Sequence, residues 1–230
     1  TTTTIASKGD YADSGFDLSG SVGAKGTSNS TRGLFGSFTF PYQDTIDYVT
    51  IQSLGNAQDF GNLTEVRGYG MALSSPVRGV FMGGINNPFN LGTDVIDYVT
   101  ISTTGNAQDF GTLTANSTAG AYESGCANSS TRGMIAGGTG NNKAIEFITI
   151  ASTGNAQDFG ELDVLNASGK AGTSSNTRGV FAGGLGALPT TVSNMEYVTI
   201  PTTGNAIDFG DLQQPKRMAL SGVSNGHGGL

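Results

Sequence analysis

One arginine recurs at the same place in four copies of a short motif, Thr-Arg-Gly or Val-Arg-Gly followed by an apolar pair. A ring of such cations would suit an anionic glycan, whereas a structural role would pair each guanidinium fork with a carboxylate or a turn carbonyl. We favour the structural role, because a feature that every repeat shares usually holds the repeat together. The arginines are Arg32, Arg78, Arg132 and Arg178, and the candidate carboxylate partners are Asp47, Asp97, Glu146 and Glu196.

A single aspartate recurs in a second motif, Gly-Asn-Ala-Gln-Asp-Phe-Gly, whose last copy carries isoleucine in place of glutamine. Carboxylates can bind calcium, but a calcium loop spaces several oxygen ligands over about twelve residues, and each copy here offers one. We therefore expect these aspartates to accept hydrogen bonds from turn amides, and we predict no metal site. The residues are Asp59, Asp109, Asp158 and Asp208.

Nucleophilic catalysis would have to use the single cysteine or the single histidine, because a nucleophile is activated by an adjacent base. Cys126 lies among small residues, where a buried and inert thiol is the ordinary outcome. His227 lies among glycines near the C terminus, where other repeats carry the motif arginine. Nothing singles out a pair of carboxylates for acid–base chemistry. The sequence therefore predicts a protein that is not an enzyme and that binds no cofactor.

The composition indicates many short strands and tight turns. Of the 230 residues, 37 are Gly and only 13% are charged, with a formal net charge of −7. Short apolar runs bounded by Gly, Ser, Thr and Asn are typical of strands and their turns. The acidic balance argues against nucleic-acid binding. No apolar run reaches the roughly 18 residues of a membrane span, so we expect no membrane insertion.

Five repeats of about 46 to 50 residues fill the chain, and each reads as four strands, here termed a to d. In the clearest copy these strands are residues 178–182, 195–200, 206–212 and 218–223. A worn copy opens the chain at residues 4–10, and a degenerate arginine motif closes it at residues 224–230. The predicted units are residues 1–30 with 221–230, then 31–76, 77–130, 131–176 and 177–220.

The phase of the termini predicts a closed ring. The chain begins in strand b and ends in strand a, and the repeat that spans both termini is short by about one a-to-b loop. Pairing of the terminal strands in one sheet would also hide edge strands that otherwise invite aggregation. We therefore predict one all-β domain over residues 1–230. It is a five-bladed β-propeller of four-stranded blades, closed by pairing the N- and C-terminal strands in one blade.

The apolar pair before Gly-Gly, followed by a loop and an aromatic strand, resembles a kelch repeat without the kelch tryptophan. The fuller pattern adds Glu-Tyr-Val-Thr-Ile and Gly-Asn-Ala-Gln-Asp-Phe-Gly to that motif. It resembles the kelch-like repeats of structural and tail-fibre proteins of marine bacteriophages, cyanophages especially, over essentially the whole chain. The resemblance implies a virion protein on the surface of the extracellular particle, near the host-recognition apparatus. It carries over no catalytic or ligand-binding residue.

The loops between strands a and b differ in every repeat, at residues 37–45, 85–94, 139–143 and 185–194. They connect equivalent strands, so we expect all of them on one face of the ring. Binding residues tend to lie on loops held by a rigid scaffold, and aromatic rings beside Asn suit sugars or a protein surface. The alternative is that these loops are tolerated insertions. The candidate ligand-binding residues are Phe38, Phe40, Tyr42, Asn86, Asn87, Phe89, Asn141, Asn142 and Leu188.

We therefore expect a recognition or adhesion module of a phage particle, with a host-surface glycan or another virion protein as its partner. The first alternative is a purely structural, decoration or docking domain of a virion. The second alternative is a soluble lectin unrelated to phage.

Overall fold

The computed structural model describes residues 24–38, 41–86, 91–114, 124–138, 142–166, 169–185, 191–216 and residue 222. Within these residues the chain forms four antiparallel sheets. The first sheet contains β1 (Lys25–Ser28), β2 (Arg32–Gly36), β3 (Gln43–Thr50) and β4 (Gln58–Gly68). The second contains β5 (Met71–Ser74), β6 (Arg78–Met82), β8 (Val95–Thr100) and β9 (Gln108–Thr112). The short β7 (Ile85–Asn86) pairs with the edge of the first sheet.

The other two sheets repeat this plan. The third contains β10 (Gly125–Asn128), β11 (Arg132–Ala136), β12 (Asn142–Thr149) and β13 (Gln157–Asn166). The fourth contains β14 (Ala171–Ser174), β15 (Arg178–Ala182), β16 (Val192–Thr199) and β17 (Ile207–Lys216). Apart from the added β7, each sheet is formed by four strands in chain order. Every connection inside a sheet therefore joins adjacent antiparallel strands.

The strand assignment from sequence agrees best at strand a, where β15 spans the predicted residues 178–182. Strands b and c are longer than predicted, because the end of strand c continues past a bulge to pair with the start of strand b, as Val192 does with Lys216. The first strand of each sheet is the one that the sequence analysis placed last in a repeat, namely strand d. Each sequence repeat thus spans parts of two sheets, since a repeat has no intrinsic starting point.

The first strands of the sheets lie side by side around a common centre, with β1 against β5, β5 against β10 and β10 against β14. Ser74 Oγ donates to Ser28 O at 2.7 Å, and Asn128 Nδ2 donates to Ser74 O at 2.7 Å. Ser174 Oγ continues the series by donating to Asn128 O at 2.7 Å. Four sheets around one centre form a propeller-like arrangement, and we term each sheet a blade. The all-β, propeller-like prediction is confirmed, with four blades in the described residues.

The connections alternate between two faces, because successive strands of a blade are antiparallel. The d-to-a and b-to-c turns lie on one face, which we term the turn face. The a-to-b loops and the c-to-d connections lie on the other, which we term the loop face. The segments whose length varies between repeats lie on the loop face, whereas the turns of the other face keep their length and vary only in sequence.

Apolar clusters fill the three interfaces between successive described blades. At the first interface, Leu34 and Phe60 of the first blade pack with Phe81 and Ile101 of the second. Equivalent clusters join the second blade to the third and the third to the fourth. The motif phenylalanines of the first three blades are each 2% exposed, as expected for residues between blades; these are Phe60, Phe110 and Phe159.

A set of main-chain hydrogen bonds repeats at each of these interfaces. Gly105 N donates to Phe60 O at 2.7 Å, and Ala107 N donates to Asn62 O at 2.8 Å. Asn62 N in turn donates to Asn106 Oδ1 at 3.1 Å. The same three bonds recur at the next two interfaces. The Gly-Asn-Ala motif is therefore the element by which one blade holds the preceding one.

Candidate functional site

Each motif arginine lies over an aromatic ring of its own blade, at 4.5 to 4.8 Å from the ring centre. Arg78 lies over Tyr98, and its Nη1 donates to Ile150 O of the next blade at 2.9 Å. Arg32 and Arg132 bind the equivalent carbonyls, Ile101 O and Ile200 O, at 2.9 Å. Arg32, Arg78 and Arg132 therefore join blades through turn carbonyls, which is one of the two structural partners that the sequence suggested.

Three of the carboxylates expected to pair with these arginines, Asp97, Glu146 and Glu196, have other partners. Arg78 pairs in register with Thr100, whereas Asp97 pairs with Phe81. The arginine and the carboxylate thus lie three positions apart along the blade, which is roughly 10 Å at the rise of a strand. The expected arginine–carboxylate pairing is wrong for this reason. Asp97 instead accepts from Thr64 Oγ1 of the preceding blade at 2.6 Å.

The carboxylates of the third and fourth blades are also buried against the preceding blade. Glu146 accepts from the amide and hydroxyl of Thr114. Glu196 accepts from Asp163 N at 2.9 Å and from Asn194 Nδ2. Their side chains satisfy main-chain amides between blades, so they are not available as surface ligands.

Two basic side chains outside the repeat motifs are fully buried between blades. Arg67 Nη2 lies 2.9 Å from Asp97 Oδ2, and both side chains are 0% exposed. Lys170 Nζ lies 3.7 Å from Glu196 Oε1, and these side chains are 0% and 1% exposed. Burial lowers the pKa of Lys170, while the nearby Glu196 opposes that shift. No repeated pattern marks these residues, and the sequence analysis did not identify them.

The recurring aspartates lie at the bulge that opens strand c. Asp59 Oδ1 accepts from Gly61 N at 3.1 Å, and Asp208 Oδ1 accepts from Gly210 N at 3.1 Å. Asp109 and Asp158 occupy the equivalent positions in β9 and β13. The bonds at Asp59 and Asp208 match the expected capping of a local turn. Within the described residues, no group of three or more His, Cys, Asp or Glu side chains could hold a metal ion.

The predicted ligand-binding residues lie in different environments, and several lie outside the described residues. Phe40, Asn87, Phe89, Asn141 and Leu188 lie outside the described residues. Asn142 Oδ1 accepts from Ala144 N at 2.8 Å, so it shapes its own loop. Asn86 is half-buried in β7, and its Oδ1 is buried with no hydrogen-bond partner among the described residues. Tyr42 is half-buried on the loop face.

Phe38 is a correction to the sequence analysis, which placed it on the binding surface. Its side chain is 1% exposed. Ser37 has a φ of 56°, and its Oγ accepts from Gly70 N at 2.9 Å. This contact turns the loop back over the c-to-d connection, with Phe38 on the inner side. The Phe38 ring therefore belongs to the core and presents no surface to a ligand.

Tyr42, Val66, Tyr69 and Leu91 lie at the loop-face end of β3, β4 and β7, and each is at least partly exposed. We term these four residues the loop surface. The Tyr42 and Tyr69 rings meet edge to face, with centroids 6.2 Å apart. Val66 is 37% exposed and Leu91 is 61% exposed. Strands β3, β4 and β7 end together here, because Gln43, Arg67 and Asn86 pair in register.

The loop surface is held firmly from below. A Cβ at Gly68 would lie 2.7 Å from Tyr42 Cδ1, so the tyrosine ring packs directly on the chain there. Asn86 N donates to Leu91 O at 3.0 Å and closes the second loop. Val66 and Tyr69 were missed by the sequence analysis, because strand c was predicted to end before them. No period-two apolar pattern marks this extension, because the apolar residues Phe60, Leu63 and Val66 are three apart and Arg67 is buried.

The described residues offer little for nucleophilic chemistry. Cys126 Sγ donates to Ala72 O at 3.4 Å in an inner strand. Burial raises the pKa of this thiol, which suppresses the reactive thiolate. In the described part of the chain, no helix has the length and apolar character needed to cross a bilayer.

Comparison with known proteins gives likenesses of structure only. No protein-family model matches the sequence, and no curated protein is similar to it. A solved structure described as "Structure of YjhT" is similar with a TM-score of 0.70 at 10% identity, covering 88% of this chain and 70% of that one. A fungal alcohol oxidase of the AA5 family, in complex with copper, is similar with a TM-score of 0.63 at 12% identity. That likeness covers 85% of this chain and 43% of the oxidase. At these identities both bear on the fold alone, and they agree with the propeller-like, all-β arrangement.

Proposed function

We propose that this protein is a non-enzymatic recognition module that presents the loop surface to a partner, with a cell-surface glycan as the candidate ligand. The observation that carries the proposal is the contrast between the two faces. The turn-face elements keep their length and the contacts between blades repeat, whereas the a-to-b loops vary in both length and sequence. Variation on a constant frame is typical of a surface selected for binding.

The chemistry of the loop surface supports a sugar ligand. Tyr42 and Tyr69 are aromatic and partly exposed, and their hydroxyl groups add polar tips to apolar rings. Such rings stack on the apolar faces of sugars while nearby polar groups bind hydroxyls. Because the loop is fixed by Ser37 and Gly68, little ordering free energy is spent when a ligand binds.

The setting that we propose is a phage virion, on the surface of the extracellular particle. This rests on the resemblance of the repeats to kelch-like repeats of marine phage tail-fibre and structural proteins. The alternative is a decoration domain of the same fold whose loop face is covered by another virion protein. The two differ in whether the loop surface binds cells or another virion protein.

We further propose that a fifth blade closes the ring, formed by strands from residues 1–23 and 217–230. Two positions that are buried at the inner interfaces are exposed at the outer ends of the four blades. Phe209 is 46% exposed, against 2% for Phe159, and Ile51 is 44% exposed, against 0% for Ile101. A Cβ at Gly222 would contact Gly172 O, as a Cβ at Gly172 would contact Cys126 O of the preceding blade. This contact of residue 222 supports a further inner strand beside β14.

Recognition is tested by binding of the purified chain to whole candidate bacterial cells and to a glycan array. The test variant combines Tyr42→Ser with Leu91→Ser on the loop face. The matched control combines Leu54→Ser with Val77→Ser, two residues of the turn face that are 68% and 61% exposed. Circular dichroism establishes that each variant keeps its fold.

Binding that is lost in the loop-face variant and kept in the turn-face control supports a receptor-binding module. Equal binding by both variants overturns the assignment to the loop surface. A lack of binding by the unchanged protein to any cell or glycan moves the function to assembly, which is then tested with other virion proteins.

A further inference from the structure

The turn face of the second blade contains a cleft, and none of its lining residues belongs to the loop surface. Its volume is about 270 Å³. This is slightly below the roughly 300–1,000 Å³ of sites that hold drug-sized ligands, so the cleft suits a small ligand. It is lined by residues of strand a, strand b, the b-to-c turn and the start of strand c. They include Arg78, Tyr98, Thr103, Thr104, Asn106 and Gln108.

Hydrogen bonds around the cleft engage the side-chain amide oxygens, and they leave the NH2 groups of the same side chains as donors. Tyr98 Oη donates to Gln108 Oε1 at 2.6 Å. Asn62 N donates to Asn106 Oδ1 at 3.1 Å. Both amide oxygens are therefore engaged, and the NH2 groups of Gln108 and Asn106 remain as donors.

The charge of the cleft is positive. Arg78 Nη1 donates to Ile150 O, and the guanidinium carries further N–H donors. The ion pairs of the described residues involve Arg67 and Lys170, so no described carboxylate lies within ion-pair distance of Arg78. The Tyr98 ring, 4.5 Å away, holds the guanidinium from one side. A cation and two amide donors are thus fixed before any ligand arrives.

We propose that this cleft binds a small oxyanion, a carboxylate or a sulfate group, through Arg78, the Thr104 hydroxyl and the NH2 groups of Asn106 and Gln108. Charged and amide N–H donors form charge-assisted hydrogen bonds with such oxygens. The threonine hydroxyls of the turn add donors at the rim. The site lies on the face opposite the loop surface, so its test is independent of the test of the proposed recognition function.

Each of the other described blades lacks one of these groups, and Ser53 and Ser152 also replace Thr103 in the first and third blades while keeping its hydroxyl. Leu54 of the first blade replaces the equivalent of Thr104. Phe147 of the third replaces that of Tyr98 and has no hydroxyl to orient the glutamine. Ile207 of the fourth replaces that of Gln108. Because the fold forms with each replacement, the complete set in the second blade is not required for folding.

The test is an NMR titration of the isotopically labelled full chain with sodium sulfate and, separately, with sodium acetate. Sodium chloride at matched ionic strength and glucose are the controls. We expect saturable shifts of the Gly105 and Asn106 amides and of the Gln108 side chain with one or both oxyanions. The relative affinity of sulfate and acetate then distinguishes the two groups. Shifts that sodium chloride reproduces overturn the proposal.

Two variants copy replacements that the chain already carries. Gln108→Ile, as at Ile207, removes one NH2 donor and should weaken binding about tenfold. Thr104→Leu, as at Leu54, serves the same purpose if the first variant does not fold. Unchanged affinity in a folded variant contradicts the assigned lining.

A gain-of-site variant gives the sharpest result. Leu54→Thr completes the set beside Arg32, Tyr48 and Gln58 in the first blade, where Tyr48 Oη already donates to Gln58 Oε1 at 2.5 Å. We expect new saturable shifts at Asn56 and Gln58 in this variant alone. No new shifts in a folded Leu54→Thr chain would show that the donor set does not make the site.

Discussion

Arg67 Nη2 and Asp97 Oδ2 lie 2.9 Å apart with both side chains fully buried between the first and second blades. Arg67 Nη2 also donates to Phe81 O at 3.2 Å, so the cation bridges strand c of one blade and strand a of the next. Removal of one member of a buried pair leaves an uncompensated charge. This contact therefore makes the first interface sensitive to a single substitution.

We expect Arg67→Met to lower the free energy of unfolding by about 3–5 kcal/mol. The measurement is urea denaturation followed by circular dichroism. Lys143→Met is the control, because Lys143 is a cation whose Nζ bonds Asp163 O at an exposed site, and surface changes usually stay within about 0.5 kcal/mol. Similar losses in the two variants would contradict a special role for the buried pair.

Stability should rise with pH in the alkaline range because of Lys170. Burial lowers its pKa in the folded state below the ordinary lysine value of 10.5. Between the folded pKa and 10.5 the unfolded chain binds more protons, so the free energy of unfolding increases with pH across that window. Lys170→Met should flatten this rise, whereas Lys143→Met should keep it. Parallel pH profiles for the unchanged chain and Lys170→Met would contradict the assignment of this pH dependence to Lys170.

Gly111 is the position where an added methyl group should harm the blade interface most directly. Its φ is 147°, and a Cβ there would lie 2.5 Å from Gly154 O of the next blade. Gly55 has a similar φ of 142° but nothing within 4 Å of such a Cβ.

Gly55→Ala should cost about 1–3 kcal/mol from backbone strain, and Gly111→Ala about 1–3 kcal/mol more from overpacking. Thermal unfolding of the two variants measures the difference. Equal melting temperatures would mean that the interface relaxes around the methyl group.

Closure of the ring predicts that Phe209 behaves as a core residue. If strands from the two termini pack against it, Phe209→Ala should cost about 3–5 kcal/mol, as Phe159→Ala should at an inner interface. The same comparison applies to Ile51→Ala and Ile101→Ala. Measured costs near those of surface substitutions at Phe209 and Ile51 would leave the four blades with open ends and refute closure.

The sequence predicted what the repeats encode locally. Both ends of strand a were predicted correctly at residues 178–182, because Arg-Gly marks its start and the Gly-Gly turn marks its end. Phe60, Phe110 and Phe159 are buried between blades, because a residue shared by every repeat usually contacts the neighbouring repeat.

What the sequence did not predict depends on contacts that occur once. Phe38 reads as an exposed loop aromatic, and only the turn at Ser37 with its bond to Gly70 brings it inside. Arg67 and Lys170 stand outside every repeated motif, so nothing in the pattern connects them with Asp97 and Glu196. The donor lining around Arg78 appears only when Gln108 and Asn106 are seen with their oxygens engaged.

The bonds between Gly105, Ala107 and the preceding blade recur at each described interface, and this bears on how such a chain changes over generations. Each blade presents one half of this contact to its predecessor and the other half to its successor. A duplicated stretch of about 50 residues would therefore arrive with both halves already made, as in other repeat proteins whose units contact only their neighbours. Gain or loss of a whole blade is thus open to this lineage by a single recombination, without redesign of any interface.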